Sequence, residues 1–290
     1  MGKQTIFERY SDTMTMTNDN HPLVESLRQM AELGEEYDLP IRKPGEDGWL
    51  SASSLFQEDD QRLAEIVAGY GRGFLGTENR HLAASAFIIA YLTRLVFPLL
   101  GQYLINRRVI DVSLDNLEFH TNGQRFDGTA LRRPLFAVLP EDSAAGHPDA
   151  EVVPDEAALY TRLKQQLFDA NFGLVIPSLA RAAGASPKVS WNAVAASCAQ
   201  VFYWLYELTD EKERVMQQAE AFFDDPASPM YREVRMALIE HQGKEGYFAR
   251  RAGCCLFWKV REQDVYCSGC ILLPDEEQDI RFKQLLVSQP

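Results

Sequence analysis

The first clear apolar period in the chain begins at residues 20–33, NHPLVESLRQMAEL. There Leu23, Leu27, Met30 and Leu33 recur at the three- and four-residue spacing that lines one face of an α-helix, with Asn20 or His21 near its cap. Residues 1–20 ahead of it carry no such period and read as a flexible arm. A second helix is expected over about 57–70, and a long apolar one over about 80–105, HLAASAFIIAYLTRLVFPLLGQYLI. Then the period changes. RVIDVSLDNLEFHTNGQRFDGTALRRPLFAVLP has β-branched residues, rough alternation and the turn signals TNGQ and FDGT, which predicts two or three antiparallel strands.

The stretch EDSAAGHPDAEVVPDE, 141–156, is rich in Asp, Glu, Ala and Pro and reads as a linker. Helical spacing returns at Leu163, Leu167, Ala170 and Leu174, and again at Trp191, Val194, Ala195, Cys198, Val201, Phe202 and Leu205. A further helix is expected over roughly 210–223, and another in DDPASPMYREVRMALIEH after its two prolines. GYFARRAGCCLFWKVREQDVYCSGC reads as a short strand, a turn and a second strand. The expected fold is α+β and mainly helical, with a small antiparallel sheet in the N-terminal half and a C-terminal β-hairpin carrying the cysteines. Its lobes are 21–140 and 157–290, joined by the linker, with no internal repeat.

Composition narrows the class. The chain has 290 residues of which 46% are hydrophobic, so wholesale disorder is excluded. The N-terminus lacks the apolar core of an export signal, which predicts a cytoplasmic protein. The long apolar stretch holds Arg94, Pro98 and Gln102, and a bilayer span would bury that guanidinium unpaired, so a core helix is expected and no transmembrane segment. A net charge of −13 argues against nucleic acid as a partner, because phosphate contacts need a basic face.

Four of the five cysteines fall within residues 253–270, GCCLFWKVREQDVYCSGC: Cys254 and Cys255, eleven intervening residues, then Cys267 and Cys270 as a C-x-x-C pair. In a reducing compartment clustered thiols hold metal more often than a disulfide. Zinc takes four tetrahedral ligands, and adjacent cysteines suit it poorly, since neighbouring side chains on a strand point to opposite faces. Gly253 would make the required kink cheap. A 2Fe-2S cluster is broader and takes four thiolates. Spacing alone leaves zinc and iron-sulfur open, and a four-cysteine zinc staple in a non-enzymatic protein is the alternative reading. Cys198 sits on a helical core stripe and reads as a small buried hydrophobe.

Cys-Cys, a gap of about ten residues and C-x-x-C near the C-terminus resembles the FhuF-like ferric-siderophore reductases, and VIDVSLDNLEFHTNG, KVSWNAVAASCAQVFYWL and ARRAGCCLFWKV look like segments of that family in the same order. The gap here is eleven, one residue longer than is common there. The resemblance implies a 2Fe-2S cluster on Cys254, Cys255, Cys267 and Cys270 and one-electron reduction of a ferric siderophore. A hydroxamate is favoured over an anionic catecholate by the chain's negative charge. It also implies an upstream donor such as a ferredoxin or flavin reductase, and is compatible with peripheral association at the inner membrane. GYGRGFLG follows a helix rather than a strand and reads as a helix-ending loop, not a dinucleotide fingerprint.

Other candidates are weaker in pattern. His120 ends a strand and could face a pocket. Trp258 and Phe257 flank the cysteines as a shield or a ligand contact. Arg250, Arg251, Lys259 and Arg261 set four positive charges around the thiols of an acidic chain, as surface solvation or as compensation of cluster charge.

Overall fold

The computed structural model describes residues 21–42, 48–122, 126–259 and 266–288. These form two compact units that divide between Ser190 and Trp191.

The N-terminal unit opens with helix α1 (Pro22–Ala31), where His21 Nδ1 accepts the Leu23 N–H at 3.2 Å and Pro22 occupies the first helical position. Leu23, Leu27 and Met30 are buried along its inner face. Helix α2 (Asp60–Tyr70) is capped by Asp59, whose carboxylate accepts the Arg62 N–H at 2.8 Å. It runs into a π-helical turn, Gly71–Leu75, that ends at Gly76 in the left-handed region, so GYGRGFLG does close a helix. Helix α3 (Arg80–Asn106) carries Pro98 inside it and is long and apolar enough to cross a membrane, yet 72% of its most apolar window is buried within the fold.

Strand β1 (Trp49–Ser51) pairs antiparallel with β3 (Leu117–Thr121), which pairs antiparallel with β4 (Phe126–Leu131). A second small sheet joins β2 (Val109–Ile110), β5 (Phe136–Val138) and β6 (Ala150–Val152), with β5 and β6 parallel. Three-residue strands such as β1 and β6 are too short to show a period, and only their partners make them strands. The expected linker 141–156 is part of this unit. Asp142 takes the Arg108 guanidinium through two hydrogen bonds of 2.8 and 2.9 Å, and the Val153 N–H donates to the Val138 carbonyl at 2.9 Å. Its polar composition reflects a partly buried ion pair and turns rather than a free connection.

Helix α4 (Glu156–Lys164), a π-helical stretch Gln165–Phe172 and α5 (Gly173–Ala183) complete the unit, and α6 (Pro187–Leu208) begins in it. The core rings Phe56, Tyr91, Phe119 and Phe172 meet edge to face at centroid distances of 5.1–5.9 Å. The buried Tyr91 hydroxyl donates to Asn171 at 2.6 Å, and Asn171 donates to the Val112 carbonyl at 2.7 Å.

The C-terminal unit contains the rest of α6, helix α7 (Lys212–Phe223), a hairpin of β7 (Val234–His241) and β8 (Lys244–Arg251), and helix α8 (Asp275–Ser288). The helix expected after the two prolines is instead β7. Val234, Met236 and Leu238 alternate, and the tight turn Gln242–Gly243, both residues at positive φ (52° and 76°), pairs this run with β8 over eight residue pairs. One face of the hairpin packs on α8, where Phe248 stacks on Phe282 at 4.7 Å beside Leu286. The hairpin delivers the cysteine segment, although no cysteine lies on its strands. A second strand leading into the C-x-x-C pair is not found among the described residues, and 260–265 lie outside them.

Candidate metal centre

Strand β8 ends at Arg251, where two main-chain bonds hold the chain: Arg251 N–H to the Gly269 carbonyl at 3.2 Å and Ala252 N–H to the Glu233 carbonyl at 2.8 Å. The first ties the two cysteine pairs together. Gly253 follows, packed so tightly on Asn192 that an added Cβ would sit 1.9 Å from the amide nitrogen. Cys254 and Cys255 come next, and Leu256 at φ 60° turns the chain sharply. The chain thus leaves the extended conformation immediately after the two adjacent thiols.

Both thiols are met by N–H groups. Leu256 N–H donates to Cys254 Sγ at 3.3 Å, and Arg251 Nη1 donates to Cys255 Sγ at 3.2 Å. On the other loop Cys270 N–H donates to the Cys267 carbonyl at 3.0 Å, the tight turn that C-x-x-C spacing allows. Gly269 is as constrained as Gly253, since a Cβ there would lie 1.9 Å from the Ala249 carbonyl oxygen of β8. Cys255 and Cys270 are buried, Cys254 and Cys267 half-buried.

Helix α8 clamps this second loop. Gln278 Nε2 donates to the carbonyls of Cys270 (3.2 Å) and Leu273 (2.9 Å), and Arg281 Nη1 donates to the Tyr266 carbonyl at 3.0 Å. Neither residue was picked out by its sequence pattern, and α8 itself was signalled only by Pro274 followed by three acidic residues in its first turn.

Electrostatics places the four sulfurs in one neighbourhood. Burial pushes the Cys270 thiol up, against the Leu272 N–H that stabilises its thiolate, and Cys254 and Cys267 raise it further. For Arg251 burial opposes the charge, but Cys255, Cys267 and Cys270 outweigh it and hold the guanidinium firmly protonated. A partly buried cation donating to sulfur and main-chain N–H groups aimed at thiols are what a polynuclear thiolate centre needs to offset its negative charge. The residues present fit a 2Fe-2S cluster on that ground.

The middle and much of the second half of the chain, residues 85–244, match the family model described as "Ferric iron reductase FhuF-like transporter". The chain belongs to the FhuF-like ferric iron reductase family. The matched span stops ten residues before Cys254, so the thiol site stands on its own geometry. A solved structure of the aerobactin synthetase IucA from a hypervirulent pathotype of Klebsiella pneumoniae is similar at 17% identity and a TM-score of 0.41, covering 56% of this chain and 29% of that one. The chain thus spans under a third of the synthetase. No curated protein matches.

In this FhuF-like chain the remaining candidates disperse. Arg250 points to the opposite face from Arg251, pairs with Asp279 and lies over the Phe282 ring at 5.5 Å. Lys259 lies over the Trp258 ring at 5.5 Å, and Trp258 meets Tyr266 at 5.5 Å, so these two flank the thiol loops. Arg261 lies outside the described residues. His120 belongs to the N-terminal unit, on β3, with its ring 5.4 Å from Trp49. Cys198 is fully buried in α6, and burial pushes its thiol far above the ordinary range.

Among the described residues one other donor set occurs: His21, His147 and Asp149, whose ligand atoms lie within 4.8 Å of one another. Each histidine Nδ1 accepts a main-chain N–H at 3.2 Å, from Leu23 and Asp149 respectively. Neutral rings with a lone pair on Nδ1 carry hydrogen on Nε2. A metal-bound histidine needs the reverse arrangement, with its second nitrogen donating. This set locks the start of α1 rather than holding an ion.

Proposed function

We propose that the chain is a ferric-siderophore reductase whose cofactor, a 2Fe-2S cluster, is held by Cys254, Cys255, Cys267 and Cys270. The observation that carries this reading is the paired-loop arrangement, with a partly buried Arg251 donating to Cys255. A bound cluster supplies a one-electron store. Reduction of a ferric chelate takes one electron, and the hard oxygen donors then hold the ferrous ion less tightly. Arg251 and the Leu256 N–H orient the first two sulfurs, while Gln278 and Arg281 fix the loop bearing the other two.

The family supports iron reduction. The further assignments are ours: a hydroxamate rather than a catecholate chelate, a cytoplasmic setting, and an upstream donor such as a ferredoxin or flavin reductase. The charge of −13 together with four thiolates repels a ferric tris-catecholate of charge −3 more than a neutral tris-hydroxamate core. A thiolate centre also favours a reducing compartment. The zinc alternative is weaker. It would bring all four sulfurs onto one ion at about 2.3 Å each and leave the chain without an electron store.

Anaerobically purified protein tests the reading. Two irons and two sulfides per chain, a visible charge-transfer spectrum that bleaches on reduction, and reoxidation by a ferric hydroxamate with release of ferrous iron to a trap are expected. Stoichiometric zinc in their place would sink it.

A further inference from the structure

The C-terminal unit contains an open groove of about 790 Å³ between α7 and the β7–β8 hairpin. Its size is that of a pocket for a substantial small molecule. Met216 and Phe223 of α7 face Val234, Met236 and Tyr247 of the hairpin, which gives the groove an apolar floor with two adaptable thioether side chains. Along α7 and at its C-cap the rim is acidic: Glu213, Glu220 and Asp224. Of the basic residues beside the groove, Arg235 sends its side chain to the reverse face of the hairpin, where it pairs with Asp275 at 2.9 Å, and Arg232 lies over the Tyr231 ring at 4.8 Å.

The hairpin register links this groove to the thiols. Val234 is opposite Arg251, Met236 opposite Ala249, and Leu238 opposite Tyr247, so all six side chains leave the same face of the hairpin. Arg251, which donates to Cys255 Sγ at 3.2 Å, therefore departs from the face that floors the groove, directly across the ladder from Val234. No other face of the hairpin offers this: the reverse face is closed by Phe282 and Leu286 of α8.

Building on the function proposed above, we propose that this groove is where the ferric siderophore docks, and that it selects tris-hydroxamates bearing a cationic tail. The tris-hydroxamate core is neutral and partly apolar, matching the Met, Phe and Tyr floor, while an ammonium arm matches the carboxylates of α7. A trianionic catecholate would meet those same carboxylates as like charges. Tyr247, pushed up to about 12 by burial and by Glu220, remains a neutral phenol there.

The test uses gallium(III) desferrioxamine B, a hydroxamate complex with an ammonium tail whose metal cannot be reduced, so docking is measured apart from electron transfer. Calorimetric titration into the intact holoprotein should give binding that weakens at least about tenfold in Met236→Trp, which fills the floor, and by a smaller factor in Glu220→Lys, which reverses an exposed rim charge. Glu220 is exposed, so its variant keeps the fold, and unchanged iron and sulfide content in both variants separates lost docking from a lost cluster. Equal affinity in wild type and both variants, or no binding to wild type, overturns the docking site even if the cluster is present and redox-active. Groove-dependent binding to a chain with no cluster would uphold the docking site while removing the reductase reading.

Discussion

The N-terminal unit and the cysteine loops of the C-terminal unit are held by different kinds of interaction. The N-terminal unit is built on burial: α3 runs through its centre, and four aromatic rings plus the Tyr91–Asn171–Val112 hydrogen-bond chain close around it. In the C-terminal unit the hairpin has a small aromatic seam with α8, but the cysteine loops are placed by a few polar clamps and by two glycines that tolerate no side chain. The contrast teaches where the order of each unit originates. Apolar burial persists whatever the thiols bind, whereas loops fixed by isolated hydrogen bonds gain much of their definition from a shared ligand.

The largest expected effect breaks the second kind of order. Ser in place of any one of Cys254, Cys255, Cys267 or Cys270 should abolish stoichiometric cluster and reductase activity, while Cys198→Ser keeps both. Iron and sulfide analysis with far-UV circular dichroism checks this, and the helical signal should be nearly unchanged, because α1–α5 do not depend on the thiols. Loss of the cluster in Cys198→Ser would overturn the ligand assignment.

Next in size is a substitution that attacks burial. Phe119→Ala removes a ring that is 1% exposed and should cost about 3–5 kcal/mol of stability. Denaturant titration should show an early transition, with the visible spectrum surviving it if the units unfold separately. Simultaneous loss of both signals would show that they unfold as one.

A sharper probe is Gly253→Ala. The new methyl would collide with Asn192, so cluster yield should fall, and Asn192→Ala in the same chain should restore much of it by removing the obstacle. Absorbance per chain reads this directly. Failure of the second substitution to rescue would mean that Gly253 matters for its backbone freedom and not for the close approach.

The same contrast governs what could be read from the chain. Burial writes a period into the sequence, so α1, α2, α3 and α6 fall close to where their apolar spacing predicts. The four C-terminal cysteines stand out in the sequence because they crowd into one short segment, whatever they bind. What escaped depends on partners distant in sequence. The run ending at His241 fits a helix or a strand until the Gln242–Gly243 turn pairs it with β8. Asp142 looks like linker composition until Arg108, 34 residues earlier, takes its carboxylate. Gln278 and Arg281 are ordinary polar helix residues whose role exists only because α8 lies against the cysteine loop.

The smallest effect expected is a pH dependence confined to the N-terminal unit. Burial lowers the His21 pKa below its ordinary 6.5, with neighbouring His147 and Arg108 acting in the same direction and the Asp149 hydrogen bond against it. The folded state therefore prefers the neutral ring, whose Nδ1 caps α1. Well above pH 6.5 folded and unfolded chains are both neutral at this site, and its contribution is complete. As pH falls from there through the lowered folded value, the unfolded chain binds the proton first and stability declines, levelling off once both states are protonated. Protonation also places a positive charge at a helix N-terminus, where the dipole opposes it. Thermal unfolding at pH 7.5 and 5.5 should show a modest drop for wild type and a flatter response for His21→Asn, which keeps a capping acceptor that does not titrate in this range. An equal drop in both chains would assign the acid sensitivity to other groups and leave His21 a cap without a role in pH response.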